Sequence, residues 1–327
     1  MDIVRLGQSG LKVSRICLGT MTFGAGADEE MSRKIMDRFF ELGGTFLDTA
    51  NVYNNGVSEE IVGRWIKDRG LRDKVVLATK VYGATGEGPN ERGLSRINIQ
   101  RAVEASLERL QVDVIDLYQI HRWDTESEPE ETMEALNDLV REGKVRYIGC
   151  SNLRAWQLSE YLKIAEKNHG SPFVSIQPLY SALNRSIENE ILPYSARQGI
   201  GVIPYNPLAG GVLTGKYERG EPLPENTRLA DKQGYRDRYY TDRTFDIVER
   251  FVAAADEHGV TPAQLALAWT LGDPRITSPI IGARTLDQLN DTLGRLDFVL
   301  SPQAREEIPA VRPGRWVGKD PVYDRYH

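Results

Sequence analysis

The chain has 327 residues, 41 basic and 47 acidic, with a formal net charge of -6 and a pI near 5.5. That balance provides no field to attract nucleic acid or an anionic membrane, so any basic site must be local. The length allows two domains or one α/β barrel over residues 1–327, and the strand pattern decides for a single barrel domain.

The opening "MDIVRLGQSG" has no basic segment followed by an apolar one, and 18 consecutive apolar residues occur nowhere. Neither export nor membrane spanning is expected, and the predicted location is cytoplasmic. "VRLGQSGLKVSR" reads as two short strands joined at a Gln-Ser-Gly turn, a hairpin that could plug a barrel. Short apolar, β-branched runs then recur: "RICLGT", "TFLDTA", "VVLATK", "VIDLYQIH", "VRYIGCSN", "FVSIQ", "GVIPYNP" and "SPIIGA". Each is too short for a stable helix and mostly unbroken by polar alternation, as buried parallel strands are. Segments with helical spacing lie between them, among them "SRINIQRAVEASLERLQ", "PEETMEALNDLVREGK" and "AWQLSEYLKIAEKNHG".

Eight such strands predict a (β/α)8 TIM barrel. A doubly wound sheet would call for a dinucleotide fingerprint, but "GAGADE" ends in Glu29 where the third glycine belongs. Cys17 and Cys150 sit inside strand-like runs and read as buried free thiols rather than a disulfide. The four histidines are scattered without HExxH or Cys pairs, so no metal site is expected. After the seventh strand comes "AGGVLTGKY", which spells G-x-x-x-x-G-K from Gly210 to Lys216. Tyr217 then stands where a phosphate loop needs Ser or Thr. The following "ERGEPLPENTRLADKQGYRDRYYTDR" is too long for an ordinary connection and reads as a lid loop. The tail "RPGRWVGKDPVYDRYH" suits either closure over the mouth or contact with a neighbouring subunit.

Side chains at the C-terminal ends of barrel strands face one mouth, and the polar ones are Asp48, Lys80 and His121, with Tyr53 just beyond the second strand. Taken singly, each has an ordinary structural explanation. Together they compose an acid catalyst: an adjacent Lys80 ammonium would bring the Tyr53 phenol toward working range, and Asp48 would keep Lys80 charged. His121 would orient a carbonyl oxygen toward Tyr53. Such a set suits protonation of an oxygen that gains charge as hydride reaches the carbonyl carbon.

The motifs "LDTANVYNNGVSEEIVG", "ATK", "LYQIHRWD", "IGCSN", "YNPLAGGVLTGKY" and "PIIGARTLDQLNDTL" resemble the aldo-keto reductases, in the branch of bacterial and potassium-channel β-subunit-like proteins. The resemblance implies a barrel that binds NADP(H) across its mouth and reduces a small-molecule aldehyde or ketone, with Asp48, Tyr53, Lys80 and His121 as its tetrad. It also implies nicotinamide contacts from Gly19, Thr20, Met21, Asp48, Ser151, Asn152, Gln177 and Tyr205. Asn206, Leu208, Gly211, Lys216 and Arg228 would follow the phosphates, and Gly282, Arg284, Gln288 and Asp291 the adenosine end. Thr292 departs from the pattern, where relatives often have Asn. Arg284 could fork onto a 2′-phosphate, with Lys216 and Arg228 adding charge, which favours NADP over NAD. Phe23, Tyr82, Trp123 and Tyr180 form either an aromatic substrate wall, joining Tyr53 and His121, or lid packing. Two alternatives stand beside the reductase: a redox-sensing regulatory subunit, and a lyase with Lys80 as Schiff-base nucleophile. Homo-oligomer formation is left open by the sequence.

Overall fold

Where the chain alternates short apolar runs with amphipathic segments, the computed structural model, which describes residues 1–310, has the expected parallel strands and helices. Two hairpin strands, β1 (Ile3–Arg5) and β2 (Lys12–Ser14), pair antiparallel. The barrel strands are β3 (Cys17–Gly19), β4 (Phe46–Asp48), β5 (Val76–Val81), β6 (Ile115–Ile120), β7 (Val145–Ser151), β8 (Phe173–Gln177), β9 (Gly201–Val202) and β10 (Ile280–Ile281). They pair in parallel in the order β10-β3-β4-β5-β6-β7-β8-β9.

The seam between β9 and β10 closes through bridges Val202 to Ile276 and Tyr205 to Ile280. The Ile280 amide donates to the Pro204 carbonyl at 2.8 Å. Beneath the seam, the Arg15 guanidinium donates to the carbonyls of Leu271, Ile276 and Thr277. The protein is therefore a (β/α)8 barrel with an N-terminal hairpin. The tail beyond residue 310, read above as a mouth cover or subunit contact, lies outside the described residues.

Helices start where the sequence supplies caps. Asp28 accepts from the Met31 amide ahead of α1 (Glu29–Glu41), and Thr261 with Gln264 makes a capping box ahead of Pro262. The remaining helices that cover the barrel include α2 (Val57–Arg69), α3 (Arg96–Leu110), α4 (Pro129–Arg141), α5 (Ala155–Lys167) and α6 (Ile191–Gln198). Three of these fall on the segments quoted above for helical spacing. The expected lid is not an open loop. It contains a 3-10 turn at Ala209–Thr214 and two short helices, α7 (Arg228–Asp231) and α8 (Gln233–Tyr239), ahead of α9 (Asp242–Glu257). After α10 (Pro262–Leu271), β10 leads into α11 (Leu286–Leu293).

The barrel interior divides in two. At the hairpin end, Leu6 and Val13 pack with Cys17, Phe46, Ala78, Leu117, Ile203 and Ile280 in one buried apolar cluster. The hairpin thus plugs that end, and the burial keeps water away from the polar layer above it. Cys17 and Cys150 are both free and buried.

The hairpin's fit against β9 depends on Gly7, whose φ is +58° and where a Cβ would lie 2.4 Å from the Gly199 oxygen and 2.5 Å from the Gly201 nitrogen. Only glycine meets both demands. We expect Gly7→Ala to cost about 2 kcal/mol or more of folding stability, read from denaturant midpoints. Gly10→Ala, in the same turn, should cost far less, because a Cβ there meets only the Tyr147 hydroxyl at 3.5 Å.

Candidate active site

Above the apolar plug the inward positions become polar. Period-two alternation puts Lys80 after Ala78 on β5 and Gln119 after Leu117 on β6, while Asp48 and Gln177 end β4 and β8. All four are buried. Asp48 is their centre: its Oδ1 accepts from Lys80 Nζ at 2.5 Å, and its Oδ2 accepts from Gln119 Nε2 at 3.0 Å and Gln177 Nε2 at 2.9 Å. A buried ion pair is tolerated only when its remaining polar atoms are satisfied. Here two amides do that for the carboxylate. Gln119 was not among the residues expected from sequence, although it lies on β6 only two positions before His121.

Lys80 spends its other protons on the Thr49 carbonyl at 2.9 Å and the Tyr53 hydroxyl at 3.1 Å. Because the ammonium donates to the phenol oxygen, the phenol's own proton is left for another acceptor. Burial opposes the Lys80 charge, but Asp48 and Tyr53 outweigh it and hold the ammonium above its ordinary value. Nζ is therefore a charged, fully enclosed donor. It is not the free amine that a Schiff-base nucleophile requires, which speaks against the lyase alternative.

Tyr53 reaches Lys80 through the turn Tyr53–Gly56, in which Asn54 and Asn55 take φ of 49° and 54°. Asparagine tolerates this left-handed backbone better than most residues. The Asn54 amide also donates to the Phe23 carbonyl at 2.5 Å. Burial raises the Tyr53 pKa, and the opposing pull of Lys80 is the smaller effect. The expected lowering is thus present as a contribution but does not prevail, and Tyr53 keeps its proton. His121 lies edge-on to it with ring centroids 5.9 Å apart. Burial first, then the charges of Lys80 and Arg122, push the imidazole well below its ordinary value, so it is neutral.

These groups open onto a cavity of about 780 Å³ lined by Tyr53, His121 and Asp48 at one end and Lys216, Arg228, Arg284, Gln288 and Asp291 at the other. Gly19, Met21, Ser151, Asn152, Gln177, Tyr205, Asn206, Leu208, Gly211 and Gly282 line it between, as does Thr292. Within that wall Tyr205 Oη donates to Asn152 Oδ1 at 3.0 Å, and Asn206 Oδ1 accepts the Gly210 amide at 2.7 Å. Thr22, Arg122 and Tyr235 also line the cavity and were not anticipated. The glycine loop has no phosphate-loop helix after it. Tyr217 is buried, its hydroxyl accepts the Leu229 amide at 3.4 Å, and Lys216 lies over its ring.

Several expected contacts fall elsewhere. Thr20 lies beneath the floor, its hydroxyl bonded to the Asp48 carbonyl at 3.1 Å and to Ser58 Oγ at 2.8 Å. Phe23 is fully buried in the hydrophobic core, because the turn after β3 folds its ring inward. It is not a substrate wall. Tyr180 is buried too, its hydroxyl bonded to Glu188 and Arg305. Trp123 packs on Trp156 and Tyr161, both at 5.4 Å, and Tyr82 lies under the Arg122 guanidinium at 5.1 Å. Neither lines the cavity.

Comparison with known proteins agrees with this architecture. The model of the aldo/keto reductase family matches residues 15–312. The chain is 41% identical to the uncharacterized oxidoreductase YrpG of Bacillus subtilis, over 96% of this chain and 97% of that one. It is 37% identical to versiconal hemiacetal acetate reductase of Aspergillus parasiticus, over 96% and 99% of the two chains. A probable voltage-gated potassium channel subunit beta of Oryza sativa subsp. japonica is 36% identical, over 95% and 96%. The chain belongs to the aldo/keto reductase family and is an oxidoreductase built on a (β/α)8 barrel. No helix among the described residues is long and apolar enough to cross a membrane.

Since the Lys80 pKa is raised on folding, the pair's contribution to stability is fully present below the ordinary lysine value of 10.5 and is lost only as pH rises through the folded value. Asp48→Asn leaves a buried ammonium without its carboxylate. The expected cost at pH 7 is about 3–5 kcal/mol, measured by chemical denaturation.

Proposed function

We propose that the protein is an NADP(H)-dependent reductase that converts an aldehyde or ketone to an alcohol, with Tyr53 as the general acid. The observation that carries this reading is the Lys80-to-Tyr53 hydrogen bond at 3.1 Å, in which a buried ammonium braces a protonated phenol at the end of a cavity. A reducing, cytoplasmic setting accords with two free thiols.

The cavity's charge fits the dinucleotide. Burial, and then the charges of Arg284 and Arg228, lower the Lys216 pKa, so three cations crowd one end of the site. Among the described residues neither Lys216 nor Arg228 has a carboxylate at ion-pair distance, and Arg284 has Asp231 at 3.5 Å. Phosphates would relieve that repulsion. At Gly282 a Cβ would meet only the Gly19 oxygen at 3.7 Å, so there is open space in front of that stretch of backbone.

Lys216, Arg228 and Arg284 would hold the phosphates, with Asn206, Leu208 and Gly211 beside them. Ser151, Asn152, Gln177 and Tyr205 would face the nicotinamide end with Gly19 and Met21, and Gln288 and Asp291 the adenosine end. Bound NADPH would supply the hydride. Tyr53 would pass its proton to the carbonyl oxygen, and Lys80 would stabilise the phenolate so formed. Asp48 keeps Lys80 charged. Neutral His121 would donate an N–H to the same oxygen and orient it. The regulatory-subunit alternative is not adopted, because an acid, an ammonium and a neutral imidazole together suit turnover better than binding alone.

Removing only the acid tests the core of this reading. Tyr53→Phe should retain NADPH binding and lower kcat by about 10²- to 10⁴-fold in carbonyl reduction followed by NADPH absorbance. Retention of most of kcat would overturn the assignment. For cofactor choice, Arg284→Ala should weaken NADPH by about tenfold to a hundredfold and NADH little, since the 2′-phosphate is their only difference. Equal losses in fluorescence titrations would refute the phosphate role.

A further inference from the structure

The two chain segments that carry Lys80 and Tyr53 meet a second time, outside the barrel. Lys80 faces inward on β5, so Thr79, one position earlier, faces the helices. The Thr79 hydroxyl donates to Glu59 Oε1 at 2.5 Å. Glu59 lies in the first turn of α2, directly after the Tyr53–Gly56 turn that carries the phenol. One bond between these segments therefore stands at the mouth, from Lys80 Nζ to Tyr53 Oη at 3.1 Å, and the other stands behind the strand.

The second carboxylate oxygen closes the connection. Glu59 Oε2 accepts from Arg109 Nε at 2.8 Å and lies 2.7 Å from its Nη2. Arg109, on α3, packs in turn on the Tyr53 turn: at Gly56, where φ is +92°, a Cβ would stand 2.7 Å from Arg109 Cδ and 2.8 Å from its Nε. Glu59 and Thr79 are both fully buried, and neither they nor Arg109 line the cavity. Glu59 is also the one ionisable side chain among the residues that α2 buries, the others including Ile61, Val62, Trp65 and Ile66. A buried carboxylate paired with a cation adds little stability that well-packed apolar side chains would not. What it adds here is direction, because one oxygen is bonded to the strand of Lys80 and the other to the guanidinium that packs on the turn of Tyr53.

We propose that Glu59 is a positioning residue for the acid: by holding Thr79 and Arg109 together, it sets the separation between the Lys80 ammonium and the Tyr53 phenol. The inference rests on the reductase reading and goes beyond it, since Glu59 touches neither carbonyl nor cofactor. A proton donor works only within hydrogen-bond reach of the oxygen it protonates and of the group that stabilises its anion, and small misplacements are costly in rate.

Thr79→Val removes the donor to Glu59 and keeps the β-branched shape that a strand favours, so the barrel is retained. Rates are taken per NADPH-binding site, which leaves misfolded protein out of the comparison. With saturating NADPH and propanal, benzaldehyde or acetone, Thr79→Val should lower kcat by about five- to tenfold, with KM and NADPH affinity within about twofold of the wild type. Thr79→Ser, which keeps the hydroxyl, should restore kcat. Because the effect passes through the phenol, Thr79→Val should cost nothing further in a Tyr53→Phe background. Should Thr79→Val yield no NADPH-binding protein, Glu59→Gln, which keeps an acceptor for Thr79 but loses the charge paired with Arg109, is read in the same two backgrounds with the same expectation. An unchanged kcat, a loss that serine does not restore, or an equal loss with and without the Tyr53 hydroxyl overturns the role of Glu59 and leaves the reductase reading standing. A wild type that oxidises no NADPH with these or with a wider panel of aldehydes and ketones overturns the reductase reading and this assignment together.

Discussion

A lysine ammonium enclosed in a barrel needs a carboxylate, and the Asp48–Lys80 pair meets that need at 2.5 Å. Much of the mouth follows from it. Once the carboxylate is committed on one oxygen, the other must be satisfied, and Gln119 and Gln177 arrive from two further strands to do so. Four strands are thereby tied at one level. The ammonium has one proton left for Tyr53, which fixes the phenol at the cavity end, and its charge helps to keep His121 neutral.

The far end of the cavity works by the opposite principle. There Lys216, Arg228 and Arg284 are gathered with little carboxylate beside them, and burial, then the charges of Arg284 and Arg228, lower the Lys216 pKa. A charge pair closed on itself is rigid, whereas cations with few carboxylates beside them favour an anion. One cavity holds both. The lid contributes to its wall, because Arg228 touches the ring of Tyr235 and both side chains line the cavity.

The strand pattern was legible because buried parallel strands carry few polar interruptions, and all eight begin within a few residues of the apolar runs that announced them. The tetrad positions were legible for a related reason: strand ends in a barrel share one mouth. What sequence could not resolve was direction. Phe23 and Tyr180 follow strand ends as Tyr53 and His121 do, yet their rings turn into the core, and nothing in their spacing distinguishes inward from upward. Gln119 was within reach of a period-two argument from His121. Tyr235 was not, because its place depends on two short helices inside a stretch whose Pro, Gly and charge content hides them.

Strand length divides the barrel unevenly. The strands β5, β6 and β7 have six, six and seven residues, whereas β9 and β10 have two each, and their seam is made by isolated bridges. Lys80, Gln119 and Ser151 therefore stand on the stiff wall, while the glycine turn, the lid and Arg284 spring from the compliant one. The wall that carries Lys80 and Gln119 is thus a continuous ladder, whereas the wall that carries the glycine turn and Arg284 is held by a few rungs. The barrel is less a uniform cylinder than a closely laddered wall facing a sparsely laddered one.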